Sequence, residues 1–332
     1  MEKKFDVYGI GNALVDMEFE VEEEFIKEAE IAKSQMTLVD EAKQNQILSI
    51  LHGKAHKKTS GGSAANTMIA ISQFGGKSYY SCKVAKDELG EFYYRDLIDN
   101  GVETNLHSDN LEAGITGKCM VLITPDADRT MNTFLGITSN FSTRELVEEQ
   151  IKNSKYLYIE GYLVASPPAK AAAIEAKKIA EANGVKTSIT FSDVSMIKFF
   201  GDGMREIIGD GVDLVFCNEA EAFEFTKTTD LKEATEALKK VAKAFAITLG
   251  SKGALVFDGV NETIVPTTEV KAVDTNGAGD LFAGCVLYGI TNGLTYEQAA
   301  KIGCKASSTL VTQFGARLAK EQAATIKESV KF

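Results

Sequence analysis

Tyr156-Leu157-Tyr158-Ile159, Lys186-Thr187-Ser188-Ile189-Thr190-Phe191 and Leu214-Val215-Phe216-Cys217 are three strand-length runs, and each is followed by a helical stretch: Pro167 to Asn183, Ile197 to Ile208, and Glu219 to Thr226. Strand and helix repeated in this order call for a parallel sheet, because parallel neighbours can be joined only by a crossover that returns over one face. Toward the C-terminus the pattern continues. A helix over Leu231 to Val241 precedes a strand at Phe245-Ala246-Ile247-Thr248, a turn at Leu249-Gly250-Ser251-Lys252-Gly253 and a hairpin through Asp258. Two helices rich in Ala, Gly and Ser then cover Gly277 to Thr291 and Thr295 to Thr312, the second opened by a capping box from Thr295 to Gln298. Toward the N-terminus, Phe5-Asp6-Val7-Tyr8-Gly9-Ile10 reads as a buried strand that runs into Gly11-Asn12. Tyr79 to Val84 reads as another, and Glu88 to Asn100 as a helix stopped at Gly101. Ser142-Thr143-Arg144-Glu145 has capping-box form and predicts a helix to about Ile151.

Part of the chain stands outside this alternation. Thr116 to Thr124 and Arg129 to Phe134 are alternating runs separated by Pro125-Asp126-Ala127-Asp128, a hairpin signal. Together with the acidic, weakly periodic stretch from Asp16 to Val39, the hairpin predicts a small sheet that covers a site. The expected division is a large α/β unit (1–15, 41–103 and 136–332) and a small β lid (16–40 and 104–135). Glu22-Glu23-Glu24 opens a short helix, and Asp40 to Leu51 another with Ala42, Ile47, Leu48 and Leu51 as its apolar positions.

Chemistry concentrates at Asp274-Thr275-Asn276-Gly277-Ala278-Gly279-Asp280, which leads into the apolar run Leu281 to Leu287. Small residues at 277–279 let the backbone approach a ligand, and a helix beginning there directs free N–H groups at an anion. Asp280 beside an anion is electrostatically costly unless it takes a proton from an attacking hydroxyl; an Asp-capped helix after a glycine turn accounts for the same residues. Thr59-Ser60-Gly61-Gly62-Ser63-Ala64-Ala65-Asn66-Thr67 is a glycine turn entering a small-residue helix. Ser63 and Asn66, three apart, face one way and can grip a polyol, or Ser63 is simply an N-cap. Asn12 and Asp16 can bind sugar hydroxyls or serve as strand-end polar residues. Asn218 and Glu221 can hold Mg²⁺ through water or merely complement a helix dipole. Arg129 is either a surface ion pair or a cation that steadies a transferring phosphoryl group. Gly9 and Gly11 lack the third glycine of a dinucleotide fingerprint, where Leu14 stands. Gly76-Lys77-Ser78 follows a helix rather than a strand and lacks the first glycine of a phosphate loop.

With 332 residues and 44% hydrophobic content the chain can bury a large core. Its 47 acidic against 36 basic residues, and no long basic tract, argue against a nucleic-acid partner. Five dispersed cysteines without C-x-x-C read as reduced core thiols, and three histidines without ligand spacing speak against a zinc enzyme. Neither a signal region nor an eighteen-residue apolar run occurs, so the expectation is a cytoplasmic protein, monomer or homodimer, with no membrane partner.

Four motifs in order, at Gly61 to Asn66, Asn218 to Glu221, Thr248 to Gly253 and Asp274 to Asp280, resemble the ribokinase-like, or PfkB, carbohydrate and nucleoside kinases over essentially the whole chain. The resemblance implies a three-layer α/β fold with a mainly parallel central sheet, plus a small β lid. It implies ATP-dependent transfer of a γ-phosphoryl group to a sugar hydroxyl, with Mg²⁺, and allows a monovalent cation (K⁺) near Asp274 and Gly315. Asp280 matches the catalytic base, the backbone of Asn276, Gly277, Ala278 and Gly279 the anion hole, and Arg129 the lid arginine. Asn12, Asp16, Gly61, Gly62, Ser63 and Asn66 match the acceptor site. Asn218 and Glu221 match the metal and phosphate motif, and Thr248, Gly250, Lys252 and Gly253 the ATP turn. Gly11 to Asp16 and Gly62-Ser63 resemble adenosine kinases, with Tyr162, Phe134 and Leu135 then walling a purine pocket, so the ribose 5′-hydroxyl of adenosine is the expected acceptor. Ala64-Ala65-Asn66 replaces a glutamine-bearing version of the double-glycine motif, and Gln313-Phe314-Gly315-Ala316 looks more like the family's sugar kinases; a fructokinase or other sugar kinase is the alternative. A catalytically silent binding relative would keep Ser63 and Asn66 yet lose Asp280.

Overall fold

The computed structural model describes residues 3–33, 36–51, 57–107, 109, 111–126 and 129–330. Met1, Glu2, His52, His56 and the turn residues Ala127 and Asp128 lie outside the described residues. The strands, in chain order, are β1 (Phe5–Ile10), β2 (Leu14–Glu20), β3 (Met36–Leu38), β4 (Lys57–Gly61), β5 (Ser78–Ser81), β6 (Glu103–Thr104), β7 (Gly117–Ile123), β8 (Arg129–Phe134), β9 (Ser154–Ile159), β10 (Lys186–Thr190), β11 (Val212–Asn218), β12 (Ala242–Thr248), β13 (Ala254–Phe257) and β14 (Glu262–Val265).

Nine of them form one sheet in the order β14-β13-β12-β11-β10-β9-β1-β5-β6, parallel from β12 to β6 and closed at one edge by the antiparallel hairpin β13-β14. The pleat sorts its side chains. Leu157 and Ile159 pack with Ile189, Val215 and Ile247 against the helices Pro167–Ala182 and Val194–Ile208, whereas Tyr156, Tyr158, Leu214 and Phe216 join the opposite face beneath Ser63–Gln73, Ala278–Thr291 and Tyr296–Leu310. Both faces being covered explains why these strands read as apolar runs rather than as clean alternation. The result is the three-layer α/β arrangement expected from the strand-helix repeat.

The second sheet has the order β3-β8-β7-β2-β4. Alternation turns Phe19, Met120 and Leu122 onto Ile26 and Ile47 of two small helices, Glu23–Glu28 and Glu41–Ile50. Asp16, Cys119, Arg129 and Met131 face the other way, onto a cavity shared with the large sheet. The boundaries differ from the expected division: β4 pairs with β2, and Glu41–Ile50 packs on the small sheet, so this helix and Lys57–Gly61 go with the small sheet rather than with the large unit. Lys57-Lys58-Thr59-Ser60-Gly61 carries no apolar periodicity, and backbone pairing alone makes it a strand. Ser142 does form its capping box with Glu145, but the turn closes as a 3₁₀ helix at Thr143–Glu145, and a separate helix occupies Glu148–Lys152. The C-terminal helix Lys320–Ser329 buries only Ala323 and Ile326, too few apolar positions to announce itself.

Candidate active site

The helix Ala278–Thr291 starts at the carboxyl ends of the large sheet's strands, under the small sheet. Gly277 takes φ 71°, a left-handed turn in which a side chain would strike Ala316, and no side chain among the described residues caps the helix. The Ala278 N–H donates to the Thr275 carbonyl at 3.3 Å, and the N–H groups of Gly279 and Asp280, with the positive end of the helix dipole, remain available beside a cavity of about 880 Å³ that Asn276, Gly277, Gly279 and Asp280 line. The turn is set by Asp274, whose carboxylate accepts from the Asn276 N–H at 2.9 Å and the Gly315 N–H at 2.8 Å.

Asp280 is held from across the cleft. Ser63 Oγ donates to one carboxylate oxygen at 2.7 Å, and Asn66 Nδ2 donates to the other at 3.0 Å. Both donors lie on the helix Ser63–Gln73, whose N-cap is Gly62 rather than Ser63, so the hydroxyl is free for this contact. Asp16 lines the same cavity from β2. Gly61 is required beside it, because a Cβ there would run into the Asp16 carboxylate. Asn12 sits at an apolar recess of about 70 Å³ with Leu135, Tyr162 and Met196; Met36 and Tyr162 line both this recess and the main cavity. Phe134 lines neither, and its neighbour Leu135 takes that place.

Burial raises the pKa of four of the carboxyl groups around this space. Asp16, Glu160 and Glu221 are pushed up to about 7, and Asp280 is also raised, with Ser63 and Asn66 acting in the opposite direction. The consequence for stability follows from linkage. A carboxyl whose pKa is higher folded than unfolded binds its proton more tightly in the folded state, so its contribution is full below the unfolded value and is lost as pH rises through about 7. The ligand-free protein is therefore expected to melt at a higher temperature at pH 5.5 than at pH 8. A scanning-calorimetry series with a flat or rising Tm across that range would contradict these shifts. Asp96 and Asp213, whose pKa values are lowered, lose their contributions only below the ordinary carboxylate range and leave this window undisturbed.

A second cavity of about 260 Å³ adjoins the first at Thr275 and Gly279 and is walled by Thr248, Gly250, Gly253, Ala278 and Val311. Lys252 is exposed and lines neither cavity. Asn218 and Glu221 lie at the carboxyl end of β11 and close a reciprocal capping box: Asn218 N–H and Nδ2 donate to Glu221 at 3.0 and 2.8 Å, while Asn218 Oδ1 accepts from the Glu221 N–H. Among the described residues no three His, Cys, Asp or Glu side chains cluster to grip a metal. The Glu221 carboxylate, buried yet lining the main cavity, fits an ion held chiefly by phosphate and water, reached through water rather than by a protein cage.

Arg129 is not a surface residue. Its side chain is 10% exposed and sits 2.6 Å from Asp274 and 3.8 Å from Glu18, tying the small sheet to the turn that precedes the helix of Asp280. Sequence reasoning passed over two further residues. Glu160, 1% exposed, accepts from the Asn12 N–H at 3.1 Å and the Ala64 N–H at 2.8 Å, and so joins the loop at Asn12 to the start of the helix Ser63–Gln73; a charge closing the apolar run Tyr156 to Ile159 was its available signal. Arg317 reaches three elements at once from a segment with no recognisable pattern.

Residues 34–323 match the family described as pfkB family carbohydrate kinase. Among solved structures the chain is similar to the adenosine kinase from Sinorhizobium meliloti (35% identity, 97% of this chain and 99% of that one, TM-score 0.89). A probable sugar kinase from Rhizobium etli CFN 42 is comparably similar (32% identity, 97% and 98%, TM-score 0.89). Adenosine kinase 2 of Arabidopsis thaliana is 26% identical over 330 residues, 92% of this chain and 94% of its own length. The family match and these two structural likenesses show that the chain belongs to the pfkB family of carbohydrate kinases, phosphotransferases that act on a hydroxyl group.

Proposed function

We propose that this kinase transfers the γ-phosphoryl group of ATP to the ribose 5′-hydroxyl of adenosine. The observation that carries the reading is the seating of Asp280. Its carboxylate is fixed by Ser63 and Asn66 at the meeting of an uncapped helix N-terminus and a polar cleft whose far wall holds Asp16. An acceptor hydroxyl in that cleft gives its proton to Asp280 as its oxygen bonds to the γ-phosphorus; the bond from that phosphorus to the bridging oxygen breaks, and ADP leaves with the electron pair. The N–H groups of Gly277 and Gly279, which no other contact in the turn engages, would meet the charge that builds on the phosphoryl oxygens, while those of Asn276 and Ala278 hold the turn itself through Asp274 and the Thr275 carbonyl. Thr248, Gly250 and Gly253 would border the nucleotide, and Mg²⁺, reached from Asn218 and Glu221 through water, would neutralise phosphate charge.

The nucleoside reading is supported by the recess of Leu135, Tyr162 and Met196 beside Asn12, an apolar extension for which a bare sugar has no use, and by the 35% identity to the Sinorhizobium meliloti adenosine kinase. A second reading, a sugar acceptor, draws on the recess being only about 70 Å³ and on the similarly placed probable sugar kinase from Rhizobium etli. ADP release measured with Mg²⁺ and ATP against adenosine, other nucleosides and common sugars separates them. Turnover of adenosine is the expected result; turnover of fructose without adenosine would establish the sugar reading.

A further inference from the structure

Arg317 precedes the C-terminal helix Lys320–Ser329 and lines neither the large cavity nor its neighbour. Its guanidinium nevertheless makes one contact to each of three separate elements. Nε donates to Asn66 Oδ1 at 3.0 Å on the helix Ser63–Gln73, one terminal nitrogen to Asp96 at 2.8 Å on the helix Glu88–Asp99, and the other to Ser60 Oγ at 3.0 Å on β4. Ser60 itself donates from its hydroxyl and its N–H to the same Asp96 carboxylate, so the fork is held on both sides. The side chain is 14% exposed.

Asn66 is where this matters. An amide can present either its oxygen or its nitrogen to a neighbour, and the two orientations are nearly equal in shape. Arg317 cannot accept a hydrogen bond, so it accommodates only the oxygen, and Asn66 Nδ2 is thereby turned toward Asp280. With the amide reversed, Asn66 Oδ1 would oppose the Asp280 carboxylate and Nδ2 would oppose a guanidinium.

We infer that Arg317 is a positioning residue for phosphoryl transfer, which fixes the amide of Asn66 so that it donates to Asp280 and thereby holds the base in its reactive orientation. The inference rests on the kinase reading of the site. The groups around Asp280 include Asp16 from β2, Tyr158 from β9, Glu160 and Tyr162 from the segment after it, and Glu221 from the helix Glu219–Thr226. Each of these feels the charge of Asp280, and the charge of Arg317 favours the ionised forms of both Asp280 and Asp16 against burial. Removing Arg317 therefore takes away both the orientation and a nearby positive charge.

The test compares Arg317→Met, which fills similar space without donors, with Arg317→Lys, which keeps the charge but not the planar fork. For the Met protein kcat is expected to fall about ten-fold or more, with the KM for ATP unchanged within about two-fold. The acid limb of its log kcat profile, read at saturating acceptor so that the titration of Asp16 in acceptor binding does not enter, should move upward by about half a pH unit or more. The Lys protein should recover most of the acid limb and little of kcat. A role confined to anchoring the C-terminal helix would lower Tm and leave the profile in place, and that outcome overturns the inference. If the Met protein does not fold, an Arg317→Lys protein with wild-type kcat overturns it equally. A ¹³C titration of labelled aspartates, with the Asp280 signal identified by its loss in Asp280→Asn, reads the same effect without turnover. Wild-type protein that turns over no acceptor would count against the kinase reading, while the titration would still decide the role of Arg317.

Discussion

Asparagine in place of Asp280 is expected to lower kcat by at least about 10²-fold while nucleotide and acceptor affinities stay within a few-fold. The change is nearly isosteric. One amide oxygen can still accept from Ser63 Oγ, but the new NH₂ faces the Asn66 NH₂ where a carboxylate oxygen stood. The loss therefore has two parts: the proton of the attacking hydroxyl has no destination, and two donors are set against each other. Steady-state kinetics with calorimetric binding of ADP distinguishes this from collapse of the site. Near-normal turnover would remove Asp280 from its role, and a parallel loss of binding would assign it to ligand attachment instead.

The second large effect is expected at Asp16. Substituting alanine should raise the acceptor KM about 10²-fold, the scale of a lost charge-assisted contact in a closed site, with little change for ATP. Asp16 is on the small sheet and does not line the second cavity, where the nucleotide is proposed to lie, so the two substrates should separate cleanly. Its pKa near 7 adds a signature: the wild-type acceptor KM should climb as pH falls from 8 to 6, because a protonated Asp16 accepts fewer hydrogen bonds, and Asp16→Asn should flatten that climb. A variant whose KM rises for ATP rather than for the acceptor would move Asp16 out of the acceptor site.

Much of this architecture is legible in the chain itself. The runs at Tyr156, Lys186 and Leu214 announce the parallel sheet because both of its faces are covered, and an apolar strand set between helical stretches fits few arrangements besides a sheet buried on both sides. Asp280 is legible for the opposite reason, being a charge placed where an anion is indicated. What escapes notice is structure held by backbone or by distant polar contacts. β4 pairs through its main chain and has the side chains of a loop. Arg317 acts across 251 positions of sequence on Asn66, a separation over which no local pattern carries information. Glu221 illustrates a third case: its residues allow a helix cap or a metal-site role, and the structure completes the cap while the same carboxylate still borders the cavity.

The chain passes between the two sheets at Gly11 to Ala13, at Gly61-Gly62, between β6 and β7, and at Leu135-Gly136. Two of these crossings are flanked by Asn12, Asp16 and Ser63, the residues that would hold the acceptor, and Arg129 joins the small sheet to Asp274 beside the large one. Any rotation of the small sheet would have to bend the backbone at those joints, beside the residues proposed to hold the acceptor. An acceptor bridging them would stiffen those joints and one that does not fit would leave them loose, so that in the proposed reaction selection of the acceptor and exclusion of water from the phosphoryl group would be a single mechanical event rather than two in sequence.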